Sequence, residues 1–130
     1  MNIPEDLKYT RDHEWVRIEG EEATVGITDF AQGELGDIVY VEVETIGESL
    51  DKEAVFGTVE AVKTVSDLFL PLAGEITAFN EELEDTPELV NDNPYDQGWI
   101  IKMKISDLSQ IETLLTHEGY QAVILSLIHI

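Results

Sequence analysis

One lysine stands alone in the middle of the chain. Between Lys52 and Lys102 the only basic residue is Lys63, which lies where the chain must reverse between two predicted strands. An amine at a hairpin tip is presented to solvent on a rigid base, which suits modification by another enzyme. Formation of an amide there would remove the charge and add a long flexible arm. The alternative is an ordinary solvated lysine at an edge turn, since this turn lacks the Asn-Gly or Asp-Gly signature of tight hairpins.

No other set of side chains assembles a reactive centre. The chain has no cysteine, which excludes a disulfide, a thiol nucleophile and a thiolate metal site. Three scattered histidines, His13, His117 and His129, do not make a metal site, and His13 is expected to form a structural hydrogen bond. Phosphate-binding and nucleophile-elbow motifs are also missing. We therefore predict neither a catalytic site nor a metal site.

The charge balance is strongly negative. The 130 residues include 28 Asp and Glu against 7 Lys and Arg, a formal net charge of -21. Such a surface repels phosphate backbones and anionic lipids, so we expect neither nucleic-acid nor membrane binding. Partners would be proteins with basic docking faces, although the same charge would also keep an abundant protein dissolved. The N-terminal residues do not resemble a secretory signal or a transit peptide, so we expect a soluble cytoplasmic protein.

Short segments of β type dominate the apolar pattern. Residues 15–18 and 23–27 predict a first hairpin, and a short helix over 30–35 follows, capped by Thr28 or Asp29. The segment 37–44 alternates strictly, with Ile38 and Tyr40 on one face and Val39 on the other. Further strands are predicted over 55–61, 68–72, 74–79 and 99–105, and an acidic loop separates the last two.

The remaining helices are expected at the end of the chain. Apolar residues recur at helical spacing after Ser106, a predicted N-cap, and a second short helix is expected from Thr116. Many short strands with few helices predict a β-rich barrel or sandwich. We assign a single domain to residues 1–124. The tail 125–130 matches a translated sequencing adapter, so we expect it to be non-native, and a genuine hydrophobic strand is the alternative.

Five blocks of the sequence resemble glycine cleavage H proteins. The segment 60–68, Glu-Ala-Val-Lys-Thr-Val-Ser-Asp-Leu around Lys63, is similar to the lipoylation segment of that family. Upstream, 9–16 resembles the family's His-Glu-Trp segment, and 26–32 with 35–39 resembles its next block. Downstream, 93–95 and 98–102 are similar to its closing strand. The blocks occur in family order over most of the chain, so the resemblance does not depend on one motif.

The resemblance implies a fold, a cofactor and partners. The fold would be mainly β, a barrel-sandwich hybrid like lipoyl and biotinyl carriers, with two interlocked small sheets, a short helix after the first hairpin and C-terminal helices. Lipoate joined to Lys63 by an amide would take the aminomethyl group from a pyridoxal-phosphate glycine decarboxylase. Its further partners would be a tetrahydrofolate-dependent aminomethyltransferase, dihydrolipoyl dehydrogenase and a lipoate-attaching enzyme. The chain itself would be a non-catalytic carrier.

The resemblance also implies which residues contact the arm. A protecting groove for a cationic, labile amine should offer carboxylates and exclude water. By similarity to the family, Glu14 and Asp67 are the carboxylates, Ser66 is a hydrogen-bonding neighbour, and Asp12 is a further contact. Asp12 stands where the family often has Ser or Thr, and Ala61 stands where it usually has Ser. These departures bear on one arm contact and on recognition by the lipoate-attaching enzyme.

Other functions for an exposed lysine stay open. Biotinyl domains place the lysine between methionines, whereas Val62 and Thr64 flank Lys63. Lipoyl domains of 2-oxoacid dehydrogenases carry an Asp-Lys-Ala sequence and lack the His-Glu-Trp segment. A non-lipoylated acidic interaction module on the same fold, or a lipoyl relay serving other complexes, is the alternative function, because an intact lysine does not prove modification.

Overall fold

The computed structural model describes residues 2–128 and builds that part of the chain from two antiparallel sheets. The strands are β1 (Lys8–Tyr9), β2 (Glu14–Glu19), β3 (Glu22–Ile27), β4 (Ile38–Glu42), β5 (Ser49–Leu50), β6 (Val55–Ala61), β7 (Val65–Phe69), β8 (Gly74–Phe79) and β9 (Ile101–Ile105). The larger sheet has the order β1-β2-β3-β9-β8-β5, and the smaller sheet has the order β4-β6-β7. Every neighbouring pair is antiparallel, as expected for a meander of hairpins with longer returns.

Short helices connect the strands and complete the C-terminal region. They are α1 (Asp29–Leu35), α2 (Glu82–Asp85), α3 (Leu89–Asp92), a 3₁₀ helix (Leu108–Thr113) and α4 (His117–Ile128). The Thr28 side chain caps α1 by accepting a hydrogen bond from the Ala31 N–H, and Gly36 ends it at φ 84°. The predicted helix after the first hairpin is confirmed. Within residues 2–128, none of the helices combines the length and apolar character needed to cross a membrane.

One apolar core lies between the two sheets. Val16, Ile76 and Met103 from the larger sheet and Val41 and Val59 from the smaller sheet are all buried in it. Burial of this apolar area is the main favourable term for the fold. A second, aromatic-rich cluster joins the N-terminal segment to α4, and its members are Leu7, Tyr9, Trp15, Phe30, Tyr95, Tyr120 and Ile124. The predicted mainly β architecture of two packed sheets is confirmed.

The strand faces differ from the prediction where bulges occur. In β4 the register shifts between Ile38 and Tyr40, so Ile38 and Val41 are buried while Val39 and Tyr40 are each 46% exposed. Strict alternation would have put Ile38 and Tyr40 on one face, and an extra residue in one strand breaks that alternation. A similar shift at the start of β6 buries Phe56.

Three predictions for the C-terminal half of the chain also differ from the structure. Ser106 is not the N-cap, because the Asp107 side chain accepts the hydrogen bond from the Ser109 N–H at 3.1 Å and the helix is of the 3₁₀ type. The segment predicted as an acidic loop contains α2 and α3. In the predicted tail, residues 125–128 continue α4 as helix, whereas 129 and 130 lie outside the described residues. The non-native origin of the tail and the domain limit at residue 124 stay predictions.

Candidate functional site

Lys63 lies at the tip of the hairpin formed by β6 and β7. The Ala61 N–H donates to the Thr64 carbonyl at 2.8 Å and closes the turn, and the Val62 N–H donates to the Asp37 carbonyl at 3.1 Å. The second bond ties the tip to the residue before β4, so the turn has a fixed base. Lys63 is exposed, and the neighbouring Val62 is 69% exposed. Among residues 2–128 the one contact within ion-pair distance joins the His117 ring to Glu5 at 3.9 Å, so no acidic side chain in this part of the chain is paired with the Lys63 amine.

A groove of about 450 Å³ lies beside the strand that follows Lys63. The four residues implied as arm contacts, Asp12, Glu14, Ser66 and Asp67, all line it. Asp12 lies in the loop before β2, and Glu14 is the first residue of β2. Ser66 and Asp67 belong to β7. Ser66 is three residues from Lys63, which is at most about 10 Å even for a fully extended chain. An acyl chain attached to the lysine side chain is long enough to enter this groove.

Glu14 is the buried carboxyl of the groove. It is 2% exposed, its Oε2 accepts from the Phe69 N–H at 2.8 Å, and its Oε1 accepts from the Thr10 hydroxyl at 3.3 Å. Burial raises the pKa of Glu14 to about 8, against the opposing effect of the Phe69 N–H. The side chain therefore joins the larger sheet to the smaller one, and burial favours its protonated form. A cation placed against it would favour the ionised form.

The other polar residues of the groove are closer to solvent. Asp12 and Asp67 are exposed, and Ser66 is half-buried with its hydroxyl 3.4 Å from the Asp67 carbonyl oxygen. The Asp12 N–H donates to the Thr10 hydroxyl at 3.2 Å, which fixes the loop before β2. Apart from Glu14, the carboxylates of the groove can therefore meet a positively charged group without giving up a protein partner. Their contact with an arm stays a prediction.

The walls of the groove are largely apolar and were not identified from the sequence. Helix α1 contributes one side through residues at helical spacing, and the strands contribute the floor. The residues are Ile27, Phe30, Ala31, Leu35, Val59, Leu68 and Leu127, with His13 and Glu34 at the polar edge. The helix over 30–35 was predicted, but nothing in the sequence shows that Ala31 and Leu35 of this helix face the groove. Apolar walls suit a hydrocarbon chain.

His13 was expected to form a structural hydrogen bond, and it does. Its Nδ1 lies 2.9 Å from the Tyr120 hydroxyl, and its ring packs against Phe30 with centroids 4.8 Å apart. The residue also has a positive φ of 66°, which turns the chain sharply into β2. Within the described residues, no group of three or more His, Asp or Glu is placed to hold a metal ion, and His129 lies outside them.

The two sheets and the lysine-bearing hairpin define a class of protein. A sandwich with an exposed lysine on a hairpin turn, beside an apolar groove with carboxylates, has the architecture of the lipoyl-carrier domains. The family model described as glycine cleavage H-protein matches residues 7–126. The chain belongs to this family.

Proteins with similar sequences or structures match this chain over nearly its whole length. A protein named glycine cleavage system H protein from Bacteroides thetaiotaomicron is 60% identical over 124 residues, which cover 95% of this chain and 98% of that protein. A protein of the same name from Bacillus cereus is 54% identical over 120 residues, which cover 92% of this chain and 94% of that protein. The crystal structure of a glycine cleavage system H protein from Mycobacterium marinum matches with a TM-score of 0.83 at 36% identity, covering 92% of this chain and 97% of that chain. The carrier-like fold is thereby confirmed.

Proposed function

We propose that Lys63 carries lipoate in amide linkage and that the chain presents this arm to the enzymes of glycine cleavage. The chain is a non-catalytic lipoyl carrier of the glycine cleavage system, as its family membership shows. The observation that carries the assignment of Lys63 is its free, exposed amine on a hydrogen-bonded turn inside the matched region. When bound, lipoate supplies a disulfide that takes up the aminomethyl group of glycine and passes it on.

The groove fits such an arm. Its apolar walls can pack against the hydrocarbon chain and exclude water, which stabilises the docked arm. Glu14, Asp12 and Asp67 can accept hydrogen bonds from an amine at the arm's end, and an ammonium group beside Glu14 would lower the pKa of its carboxyl, so that its proton is lost to solvent. Ser66 lies beside Asp67 and can donate or accept. These residues protect and orient the group that the arm carries.

The partners must reach the hairpin tip in turn. We place among them a pyridoxal-phosphate glycine decarboxylase, an aminomethyltransferase that uses tetrahydrofolate, dihydrolipoyl dehydrogenase and a lipoate-attaching enzyme. A tether keeps the carried group at high effective concentration near each active site. The net charge of -21 favours partner faces rich in Lys and Arg. A cytoplasmic location is part of this proposal.

The attachment is tested by mass spectrometry. The purified chain is incubated with lipoate, ATP and a lipoate ligase, and intact mass and peptide mapping follow. We expect one lipoyl group on the peptide that contains Lys63, none in Lys63→Ala, and full labelling in the matched control Lys52→Ala. Labelling at another lysine, or none while a known acceptor is labelled in the same mixture, would overturn the assignment.

A further inference from the structure

The Tyr120 hydroxyl of α4 lies behind the groove, in hydrogen-bond contact with His13, one of its lining residues. It is 2.9 Å from His13 Nδ1 and 2.7 Å from Thr28 Oγ1. The ring of Tyr120 is fully buried and stacks on Tyr9 with centroids 4.8 Å apart and planes at 4°. The side chain therefore has no freedom to turn its hydroxyl elsewhere. His13 lines the groove, and Thr28 caps the helix that forms one wall.

The direction of these hydrogen bonds follows from a count of donors and acceptors. Thr28 Oγ1 accepts from the Ala31 N–H at 3.2 Å, and its one other partner among residues 2–128 is Tyr120. Thr28 is fully buried, so its hydroxyl proton needs an acceptor, and the Tyr120 oxygen is the one in reach. Tyr120 must then donate its own proton to His13 Nδ1. The opposite direction would leave a buried hydroxyl proton without a partner.

This order fixes the tautomer of His13. A ring that accepts at Nδ1 carries its proton at Nε2, and burial lowers the pKa of His13, which favours the neutral ring over the effects of Asp12 and Glu34. Within the described residues Nε2 has no protein partner. The charged residues that line the groove are the carboxyl groups of Asp12, Glu14, Glu34 and Asp67, which accept when ionised. His13 therefore brings a hydrogen-bond donor to a groove whose charged residues are all carboxyl groups.

We propose that Tyr120 is a positioning residue that holds His13 as a neutral Nε2–H donor, and that this donor binds an acceptor atom of the arm. The acceptor is an amide oxygen or a sulfur, the two acceptor types that a lipoyl amide offers. The carboxylates bind the amine end at the same time. The groove therefore binds both a hydrogen-bond acceptor and a hydrogen-bond donor of the same arm. This contact rests on the proposed attachment at Lys63, whereas the tautomer of His13 does not.

The tautomer is tested on the unmodified chain by long-range ¹⁵N–¹H correlation of the histidine rings. We expect the proton of His13 on Nε2 in the wild type. Tyr120→Phe, which keeps the stacked ring and removes the hydroxyl, should shift the Nδ1 resonance and mix the tautomers. Tyr9→Phe is the matched control. It removes a hydroxyl from the same stacked pair of rings, and within residues 2–128 the hydrogen-bond partner of that hydroxyl is the Pro4 carbonyl. A proton on Nδ1 in the wild type, or equal spectra for both variants, would overturn the proposal.

The arm contact is tested with the lipoylated chain. We expect the His13 Nε2 and its proton to shift when lipoate is attached, and the shift to be lost in Tyr120→Phe while Tyr9→Phe retains it. An unchanged His13 in a fully lipoylated chain would overturn the contact and leave the attachment at Lys63 standing. Failure of lipoylation itself would instead refute the proposed function, and the spectra of the unmodified chain would still decide the tautomer.

Discussion

Glu14 connects the two sheets through a single buried carboxyl. The residue opens β2, and its side chain accepts from the backbone of Phe69 at the end of β7, so the hydrogen bond crosses from the larger sheet to the smaller one. Ionising a buried carboxyl is costly, because the interior solvates charge poorly. Burial therefore favours the protonated form of Glu14 in the folded chain.

Glu14→Gln should change how stability depends on pH. The folded chain holds the Glu14 proton up to about pH 8, whereas the unfolded chain loses it near the ordinary pKa of 4.5. Between these values the folded state binds more protons, so stability from this group falls as pH rises. The wild type should lose a few kcal/mol more than Glu14→Gln between these limits, measured by urea unfolding. The exposed control Glu112→Gln should follow the wild type, and parallel curves for wild type and Glu14→Gln would contradict the account.

At the scale of elements, the hairpin that bears Lys63 was predictable and its neighbours were not. Alternation in 55–61 and an isolated lysine indicated a first strand and a tip, and the structure has both; the second strand, β7, lies at Val65–Phe69 rather than over the predicted 68–72. The bulge in β4 could not be predicted, because Val39 and Val41 alternate regularly and only packing decides which faces the core. Helix α3 was missed because four residues are too few to show helical spacing, and its stability comes from contacts distant in sequence.

Asn91 of α3 provides those distant contacts. Its Oδ1 accepts from the Ile38 N–H at the start of β4, and its Nδ2 donates to the Gly36 carbonyl and the Gln32 side chain, each at 2.9 Å. Asn91→Ala should lower the free energy of unfolding by about 2 kcal/mol, because three bonds are lost and a backbone donor is left unpaired. Chemical denaturation measures this, with Asn93→Ala as the neighbouring control. Equal stability of the two variants would show that α3 does not hold β4 and α1 in place.

At the scale of the whole molecule, the sequence indicated a β-rich sandwich but not how the strands divide between sheets. Strand β9 pairs with β3 and β8, and β5 pairs with β8, so partners come from distant parts of the chain. Such pairings depend on the complete core rather than on local pattern. The site, too, was predicted only in part. Four polar residues of the groove, Asp12, Glu14, Ser66 and Asp67, followed from the family resemblance, whereas its apolar walls and Glu34 required the placement of α1 against β7.

The excess of acidic residues should make the whole fold sensitive to salt. With a net charge of -21 and one ion pair among residues 2–128, repulsion outweighs attraction between the charges of the folded chain. Screening by NaCl, raised from about 0.02 M to about 0.2 M, should therefore increase the free energy of unfolding. Removing two exposed charges in Glu81→Gln/Glu84→Gln should reduce that increase. Stability that stays constant or falls with salt would contradict this reasoning.

The central claim is that the arm on Lys63 makes this chain a carrier for glycine cleavage. The most direct test is release of labelled carbon dioxide from carboxyl-labelled glycine by a purified glycine decarboxylase, with this chain as the only acceptor. The lipoylated wild type should support release that saturates with its concentration, and Lys63→Arg taken through the same lipoylation step should support none. Equal release with Lys63→Arg, or none with a wild type whose lipoylation is verified by mass, would contradict the claim.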